Sequence, residues 1–388
     1  MERIGVIAEF NPLHKGHEYL LSQAKERGAV VCVLSGNFVQ RGETALLEKR
    51  IRARQALECG ADLVLELPVL WSMSTAENFA LGGVSILKSV GCDKIIFGCE
   101  SGDINQLKNA ADILLSDEFS KYVGEFSENG VTFAKARESA ALKCGLKSDI
   151  LSKPNNNLGI EYIKAAKKLN ADIDFQTVRR LGAPHDSSAE DIFVSASLLR
   201  EKIRLGDTDF CRRYMPEASL NSIKGDNISD IKSIDRAILS VLRTKTLKEL
   251  KKLPDISEGV ENKLFSSIKL ATCTEELYNS IKVKRYTLAR IRRLCLNAFI
   301  GADNSFFMKE PPYIRVLGFN GLGQAVLKKA AKESKVPIVT KVSQIRELGE
   351  NALRVFETEC RATDLFSLSL KKPLSSGLEY TSKIIKSE

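Results

Sequence analysis

Residues 3–20 constrain this chain more than any other segment. An apolar run, Ile4 to Ala8, predicts a buried strand, and Asn11-Pro12 breaks it. His14-Lys15-Gly16-His17 follows and opens a segment of helical character. Two histidines therefore sit at i and i+3 where a strand hands over to a helix. Gly16 lets a ligand approach the backbone closely, and free N–H groups at a helix start favour anions. An imidazole pair with a lysine at that place suits a polyphosphate. The chain has only 3 histidines, and two of them stand in this tetrapeptide. The competing reading is a metal site. His-x-x-His supplies only two ligands, however, and no nearby Cys or carboxylate set completes a tetrahedron. Two surface loop histidines are the plain alternative, and the flanking strand and helix speak against it.

With 388 residues the chain predicts two domains or more. Hydrophobic content of 44% and charged content of 28% are ordinary for a soluble globular protein. No apolar run approaches the ~20 residues that cross a bilayer, and the N-terminus enters a strand without a signal peptide. The 9 cysteines form no C-x-x-C pair, and several, such as Cys32, lie in apolar runs. They read as reduced core residues of a cytoplasmic protein. The net charge of +9 suggests an acidic partner.

The first two hundred residues alternate strands and helices. Strands are expected at Ile4–Ala8, Ala29–Leu34, Leu63–Glu66, Lys94–Phe97 and Phe175–Leu181, and helices at about Gly16–Arg27, Lys49–Glu58, Ala76–Ser89 and Leu158–Lys168. This pattern implies an α/β fold with a Rossmann-like, doubly wound parallel sheet. Ligands bind such sheets at the carboxyl ends of the strands, near the switch point. Between 103 and 153 the alternation weakens, and helices at Leu107–Leu115 and Phe133–Cys144 suggest an insertion. We place a catalytic domain at 1–205. A mostly helical, basic domain is expected at 206–388, with helices at Asp235–Arg243, Thr246–Lys252, Gly259–Ala271, Thr274–Ser280 and Thr287–Phe299. A mixed α/β texture returns at Tyr313–Leu317 and Pro337–Val342.

Four further segments can converge on the same strand ends. Ser35 to Glu43 is a polar, Gly-rich loop in which Arg41 suits a phosphate or carboxylate. Phe97 to Asp103 carries Gly98 and Gly102, which allow close approach to a base or ribose. Lys153-Pro154-Asn155-Asn156-Asn157 leads into a helix, where an Asn amide either caps the helix or reads an adenine edge. In Ser195-Ala196-Ser197-Leu198-Leu199-Arg200 a serine can cap a helix while Arg200, about a turn on, points back at the same anion. No Gly-x-x-x-x-Gly-Lys-Ser/Thr occurs, and no Gly-x-Gly-x-x-Gly follows the first strand, which argues against a P-loop NTPase and a dinucleotide dehydrogenase. No nucleophile triad is visible. His185, beside Asp186, reads equally as a site residue or a loop histidine.

The quoted residues resemble the nucleotidyltransferase superfamily with a His-x-Gly-His motif. Gly5 to His17, Leu34 to Glu43, Asp62 to Pro68 and Lys153 to Asn156 resemble, more closely, the bacterial tRNA(Met) cytidine acetate ligase family. Lys284-Arg285-Tyr286-Thr287 and Tyr313 to Gly318 carry the resemblance into the second half. It departs at Asn157, where the family pattern has Ile, and after Arg180, where the loop is shorter. The resemblance implies ATP and acetate as substrates, with Mg²⁺ possible alongside ATP. It also implies transfer of an acetyl group to N4 of the wobble cytidine of elongator tRNA(Met), with release of AMP and pyrophosphate. Carried over by motif, ATP binding falls on Ile7-Ala8-Glu9-Phe10-Asn11-Pro12-Leu13-His14-Lys15-Gly16-His17-Glu18-Tyr19-Leu20, Gly102, Asn155 and Arg180. His14, Lys15 and His17 are the catalytic candidates. Arg41, Ser195, Ser197 and Arg200 are phosphate-binding candidates, and no resident metal is expected.

Between 282 and 341 stand thirteen Lys or Arg against Asp303, Glu310 and Glu333. Lys284, Arg285, Arg290 and Arg293, with Tyr286 among them, are candidates to track an RNA backbone and stack on a base. A solvated basic helix face is the alternative. The partners expected are tRNA, ATP and acetate, with no membrane and no evident protein partner. A second reading is an adenylyltransferase with a small-molecule acceptor, which leaves the basic half unexplained. A third is a non-enzymatic tRNA- or ribosome-associated protein, which the intact motifs oppose.

Overall fold

Apolar runs without polar alternation make strands that are covered on both faces, and this is how the chain begins. The computed structural model describes residues 1–128, 131, 133–146, 150–179, 194–283, 285–304 and 310–388. Its strands are β1 (Arg3–Ala8), β2 (Ala29–Ser35), β3 (Phe38–Val39), β4 (Glu43–Thr44), β5 (Leu63–Leu67), β6 (Lys94–Cys99), β7 (Asp174–Arg179), β8 (Ile314–Phe319), β9 (Ile338–Val339) and β10 (Ile385–Lys386). The main sheet runs in the order β10, β8, β5, β2, β1, β6, β7, with β9 also on β8. The five strands from β5 to β7 are parallel. β8 is antiparallel to β5, and β3 and β4 form a separate two-stranded ribbon.

From β1 the chain steps to β2 and β5 on one side, then returns to lay β6 and β7 on the other. The order reverses between β1 and β6. Their carboxyl ends, Ala8 and Cys99, therefore flank the crevice where a doubly wound sheet takes ligands. Alternate residues of each strand face opposite layers. Ile4 and Val6 join Leu21, Ala24, Ala53 and Ala56, from helices Lys15–Lys25 and Lys49–Glu58. Ile7, Val33 and Ile95 join Val84, Leu87 and Ile160, from helices Ala76–Ser89 and Pro154–Lys168. At Gly159 the packing is so close that a Cβ would fall 2.2 Å from the Phe97 ring.

The insertion holds helices Ile104–Leu115, Asp117–Glu128 and Phe133–Lys143. The middle one was not expected, because Gly124 interrupts the Phe119, Tyr122, Phe126 stripe. The helix expected from Leu158 starts at Pro154, which takes the first helical position, where its missing N–H costs nothing.

The second half differs from the expectation of one helical unit over 206–388. Helices Asp235–Thr244, Val260–Leu270, Thr274–Ile281 and Leu288–Ile300 do share a core of their own. The chain then returns to the first sheet. β8, β9 and β10 extend it beyond β5, and helices Gly321–Glu333 and Glu350–Ser367 supply Val326, Ala330, Val355 and Phe356 to the same core as β1. A boundary at 205/206 therefore cuts across one sheet. Among the described residues no helix is long and apolar enough to cross a membrane.

This return is fastened by buried charge. The Lys49 side chain, wholly buried, donates to Glu66 of β5, to Glu359 of helix Glu350–Ser367 at 2.8 Å, and pairs with Glu379 at 2.6 Å. Arg315 of β8 pairs with Glu66 at 3.4 Å and with Glu379, and Arg50 reaches Glu379 at 2.7 Å. Burial pushes the Glu359 carboxyl up to about 7 despite Lys49. Burial works on Glu379 too, but Lys49, Arg315 and Arg50 outweigh it and hold its carboxyl well below the usual range. Removing one partner of such a cluster leaves an uncompensated buried charge. We therefore expect Lys49→Met to lose about 3–5 kcal/mol in urea unfolding. A loss under about 1 kcal/mol, the range of exposed pairs, would mean that water already screens these carboxylates.

Candidate active site

In the loop after β1, neighbouring elements hold Glu9, Asn11 and Leu13 by hydrogen bonds. Arg52, fully buried in helix Lys49–Glu58, donates to the carbonyls of Glu9 at 2.7 Å, Ser35 at 3.0 Å, Leu47 at 2.9 Å and Gly36. It thus ties the ends of β1 and β2 together. Burial brings its guanidinium down to about 10, against the pull of Glu48 and Glu9. Asn11, also buried, accepts from Leu46 N–H at 2.7 Å, and the Leu13 carbonyl accepts from Ser219 Oγ at 2.9 Å. Phe10 sits in left-handed backbone at φ +44°, and the Asn11-Pro12 bond is cis.

The two histidines cap their own helix. His14 is the N-cap residue, and its Nδ1 accepts from Gly16 N–H at 3.1 Å. His17 Nδ1 accepts from His14 N–H at 3.4 Å. The arrangement is a reciprocal capping box built from imidazoles. The rings stack 3.8 Å apart, and Phe10 meets His17 edge-on at 5.2 Å. With Nδ1 accepting in both rings, the proton of each neutral imidazole sits on Nε2. The backbone amides of His17 and Glu18 bond the His14 carbonyl at 2.8 and 3.1 Å. The amides of residues 16–18 are thus used within the helix, contrary to the expectation of free N–H groups there. Beside those amides this helix start carries two imidazoles, set at the positive end of the helix dipole.

The Ser195 motif joins this site. Ser195 caps helix Ala196–Arg204 through Leu198 N–H at 3.2 Å. Arg200 donates to the Asn11 carbonyl at 2.9 Å and to Ser197 Oγ at 3.2 Å. The loop after β2 joins as well, since Gln40 N–H donates to Glu9 at 2.9 Å. Arg41, at its tip, is exposed and lies within the electrostatic reach of Glu9 and Arg200. Lys15 is half-buried and Tyr19 exposed.

Across the switch point, Gly102 takes φ +69° and its N–H meets Cys99 Sγ at 3.2 Å. Asn155 neither caps its helix nor stands open. Its amide donates to Glu100 at 2.7 Å, and Glu100 also accepts from Asn156 N–H at 3.0 Å. Asn156 is buried and accepts from the amides of Glu100 and Ser101 at 3.1 and 3.2 Å. Glu100, Asn156 and Arg52 were not singled out from the sequence. Arg52 lies in the charged string Lys-Arg-Ile-Arg-Ala-Arg, which nothing local distinguishes from a solvated face.

Arg180, His185 and Lys284 lie outside the described residues. Of the other basic-segment candidates, Arg285 is exposed. The rest turn inward. Tyr286 is buried, with its hydroxyl on the Glu258 carbonyl at 2.7 Å. Arg290 holds the Asp255 carbonyl at 3.0 Å, and Arg293 holds the Asp255 carboxylate at 2.8 Å and the Gln40 carbonyl at 3.2 Å. Residues 290 and 293 share a helix face, and that face packs on residues 255–258 and on the loop after β2. Tyr286, Arg290 and Arg293 are therefore corrected from RNA-facing groups to internal ties.

The family model of the HIGH Nucleotidyl Transferase matches residues 1–380. The tRNA(Met) cytidine acetate ligase of Caldanaerobacter subterraneus subsp. tengcongensis is 39% identical, over the full length of both chains. That of Clostridium perfringens is 36% identical over 95% of each. The crystal structure of Thermotoga maritima TmcAL bound with alpha-thio ATP superposes with a TM-score of 0.92 at 31% identity, covering 100% of this chain and 99% of that one.

Glu9 gives the site a pH signature. Burial pushes its carboxyl above the ordinary range, against the Gln40 N–H and the charges of Arg52, Arg41 and Arg200. The folded protein thus holds that proton more tightly than the unfolded chain does. The stability so gained is present below the ordinary carboxylate value and is lost as pH rises through the folded value. Glu9→Gln has no charge to bury, so urea unfolding should find it more stable than the parent at about pH 8 but not at about pH 4. An equal difference at both would contradict the shift.

Proposed function

We propose the reaction from one premise: the chain belongs to the HIGH nucleotidyl transferase family and, within it, to the tRNA(Met) cytidine acetate ligases. It is an ATP-dependent ligase that modifies tRNA. It activates acetate as acetyl-adenylate and passes the acetyl group to N4 of the wobble cytidine of elongator tRNA(Met). A tRNA substrate goes with a cytoplasmic location.

The observation that carries the mechanism is the reciprocal cap of His14 and His17 at the end of β1. An acetate oxygen attacks the α-phosphorus, the bond to the β-phosphate bridge breaks, and pyrophosphate leaves. Charge gathers on phosphate oxygens in that transition state, so fixed donors and positioning carry the rate. The Nε2–H groups of the two stacked rings supply such donors, and their shared cap holds both at one orientation. Lys15, Arg41 and Arg200 bear on the departing pyrophosphate, while Gly102 and Asn155 lie on the side of the adenosine. In the second step the cytidine N4 attacks the acetyl carbon. The C–O bond to the phosphate breaks, AMP leaves with its electron pair, and the amine proton passes to solvent. Proximity is the main demand of that step.

Mg²⁺ fits this side-chain set poorly. Glu9, the carboxylate beside the motif, already accepts from Gln40 and is faced by Arg52, Arg41 and Arg200, whereas magnesium prefers open carboxylates and water. Arg285 is the contact proposed for the RNA backbone.

Pyrophosphate release from ATP should require acetate, and tRNA from the reaction should yield a new acetylated cytidine by nucleoside mass analysis. ATP binding without acetate dependence would leave only the nucleotidyl-transferase level standing. His17→Ala should slow adenylate formation by at least about 10²-fold and cost about 1 kcal/mol of stability for the lost cap. Near-normal pyrophosphate release by that folded variant would sink the histidine assignment.

A further inference from the structure

Glu43, at the start of β4, has been given no part in the reaction. Its two carboxylate oxygens are divided between guanidiniums from distant parts of the chain. Oε2 lies 3.5 Å from Nη2 of Arg200, and Oε1 pairs with Nη1 of Arg292 in helix Leu288–Ile300. Arg200 in turn donates to the Asn11 carbonyl, within the histidine loop. The other charges that face Arg200 are Arg204 and Arg41, which repel it, and Glu9, which attracts it. With two like charges close by, the place of Arg200 beside the motif depends on its carboxylates.

The turn that presents Glu43 is seated hard against the helix. Gly42 has φ +72°, and a Cβ there would fall 2.6 Å from Arg292 Cβ and 2.7 Å from the Arg293 amide. The next guanidinium, Arg293, donates to the Gln40 carbonyl, and the Gln40 amide donates to Glu9. Two contact chains thus run from helix Leu288–Ile300 to the first motif. One is Arg292, Glu43, Arg200, Asn11, and the other is Arg293, Gln40, Glu9.

We propose that Glu43 is a positioning residue for the nucleotide: it holds Arg200 at the Asn11 carbonyl beside the triphosphate, and Arg292 in turn holds Glu43. This rests on the ligase reading for the identity of the nucleotide. The phosphate-side geometry of the ATP site is then set in part by a residue of the helical second half.

The test uses the full chain as parent, Glu43→Gln, Glu43→Asp, Arg292→Gln and the Glu43→Gln/Arg292→Gln double variant. ATP affinity is read by titration calorimetry, KM and kcat by acetate-dependent pyrophosphate release, and stability by thermal melting. Glu43→Gln should weaken ATP binding and raise its KM about tenfold, with kcat held within about threefold. Glu43→Asp, which keeps the charge, should recover part of the loss. Arg292→Gln should weaken ATP binding about threefold, and the double variant should be no worse than Glu43→Gln alone. Unchanged ATP affinity in Glu43→Gln, whether or not its melting temperature falls, overturns the proposal. So do independent, multiplying effects of the two single substitutions. Should the parent release no pyrophosphate with acetate, the ligase reading fails, and the calorimetric arm still decides the role of Glu43.

Discussion

The loop after β2 is anchored to a charge cluster that lies behind it. Lys49 Nζ is surrounded by Glu66, Glu359 and Glu379, and the Lys49 amide donates to Asn37 Oδ1 at 2.8 Å. Asn37 also donates to Thr363 Oγ1 at 3.1 Å, and Thr363 bonds Glu379. One network therefore joins the first helix-bearing third of the chain to its last forty residues. Carboxylates so close would repel each other strongly in a dry interior. With Lys49, Arg315 and Arg50 among them, they join helix Lys49–Glu58, β5, β8, helix Glu350–Ser367 and the short helix Leu378–Thr381. Such clusters are poor sources of net stability, because desolvation consumes much of the attraction. What they supply is a unique arrangement. A β8 shifted along β5 would leave Arg315 facing no carboxylate. The loop after β2 grows out of this fixed point and, through Gln40 and Glu43, touches Glu9, Arg200 and helix Leu288–Ile300.

The helix start at His14 departs from the usual anion-binding arrangement. In the usual arrangement, exposed amides point at the phosphate. Here the amides of residues 16–18 are already bonded inside the helix, to the His14 ring and the His14 carbonyl. The capping box instead fixes two imidazole rings, which stack on each other, with Phe10 edge-on to His17. A ring locked in this way gives a donor of fixed direction. In the proposed reaction it loses little rotational freedom on meeting the phosphate, which is the preorganisation that phosphoryl chemistry rewards. One tetrapeptide thus builds the helix start and, in the proposed reaction, furnishes the donors.

Much of this was legible in the sequence, for reasons that name its limits. β1, β2, β5 and β6 are continuous apolar runs, and strands buried on both faces leave that trace. The His14 motif and Ser195 to Arg200 announce themselves because their chemistry is local to a few residues. Asn156, Glu100 and Arg52 stayed hidden. Their partners are 55 and 56 residues away for the first two, and for Arg52 are carbonyls, which carry no side-chain signature. Tyr286, Arg290 and Arg293 misled for the opposite reason. A dense basic string reads as a solvated face until the acidic partners of residues 255–258 are folded against it. β8 was visible as a strand, but its sheet was not, because an antiparallel strand added from residue 314 has no sequence rule to find it.

The magnitudes then settle what holds the helical half to the ATP-binding sheet. Exposed or half-exposed ion pairs such as Arg292–Glu43 and Arg200–Glu43 are worth at most about 1 kcal/mol each. Phe38 of β3 and Val69 and Met73 beyond β5 are different. All three are buried in the core that contains Leu264, Leu277, Ile291 and Leu294. Burying one such side chain fully is worth about 1.5–3 kcal/mol. The docking is therefore an apolar contact, strong and without direction, made by residues that flank the site loop. The ion pairs add little to its strength, but they decide rotation and register, because a carboxylate shared by two guanidiniums is satisfied in one geometry. A surface held by apolar contact and aligned by Glu43 keeps Arg200 beside the Asn11 carbonyl, and on the proposed reading that alignment makes the nucleotide site answerable to a helix far from it in the chain.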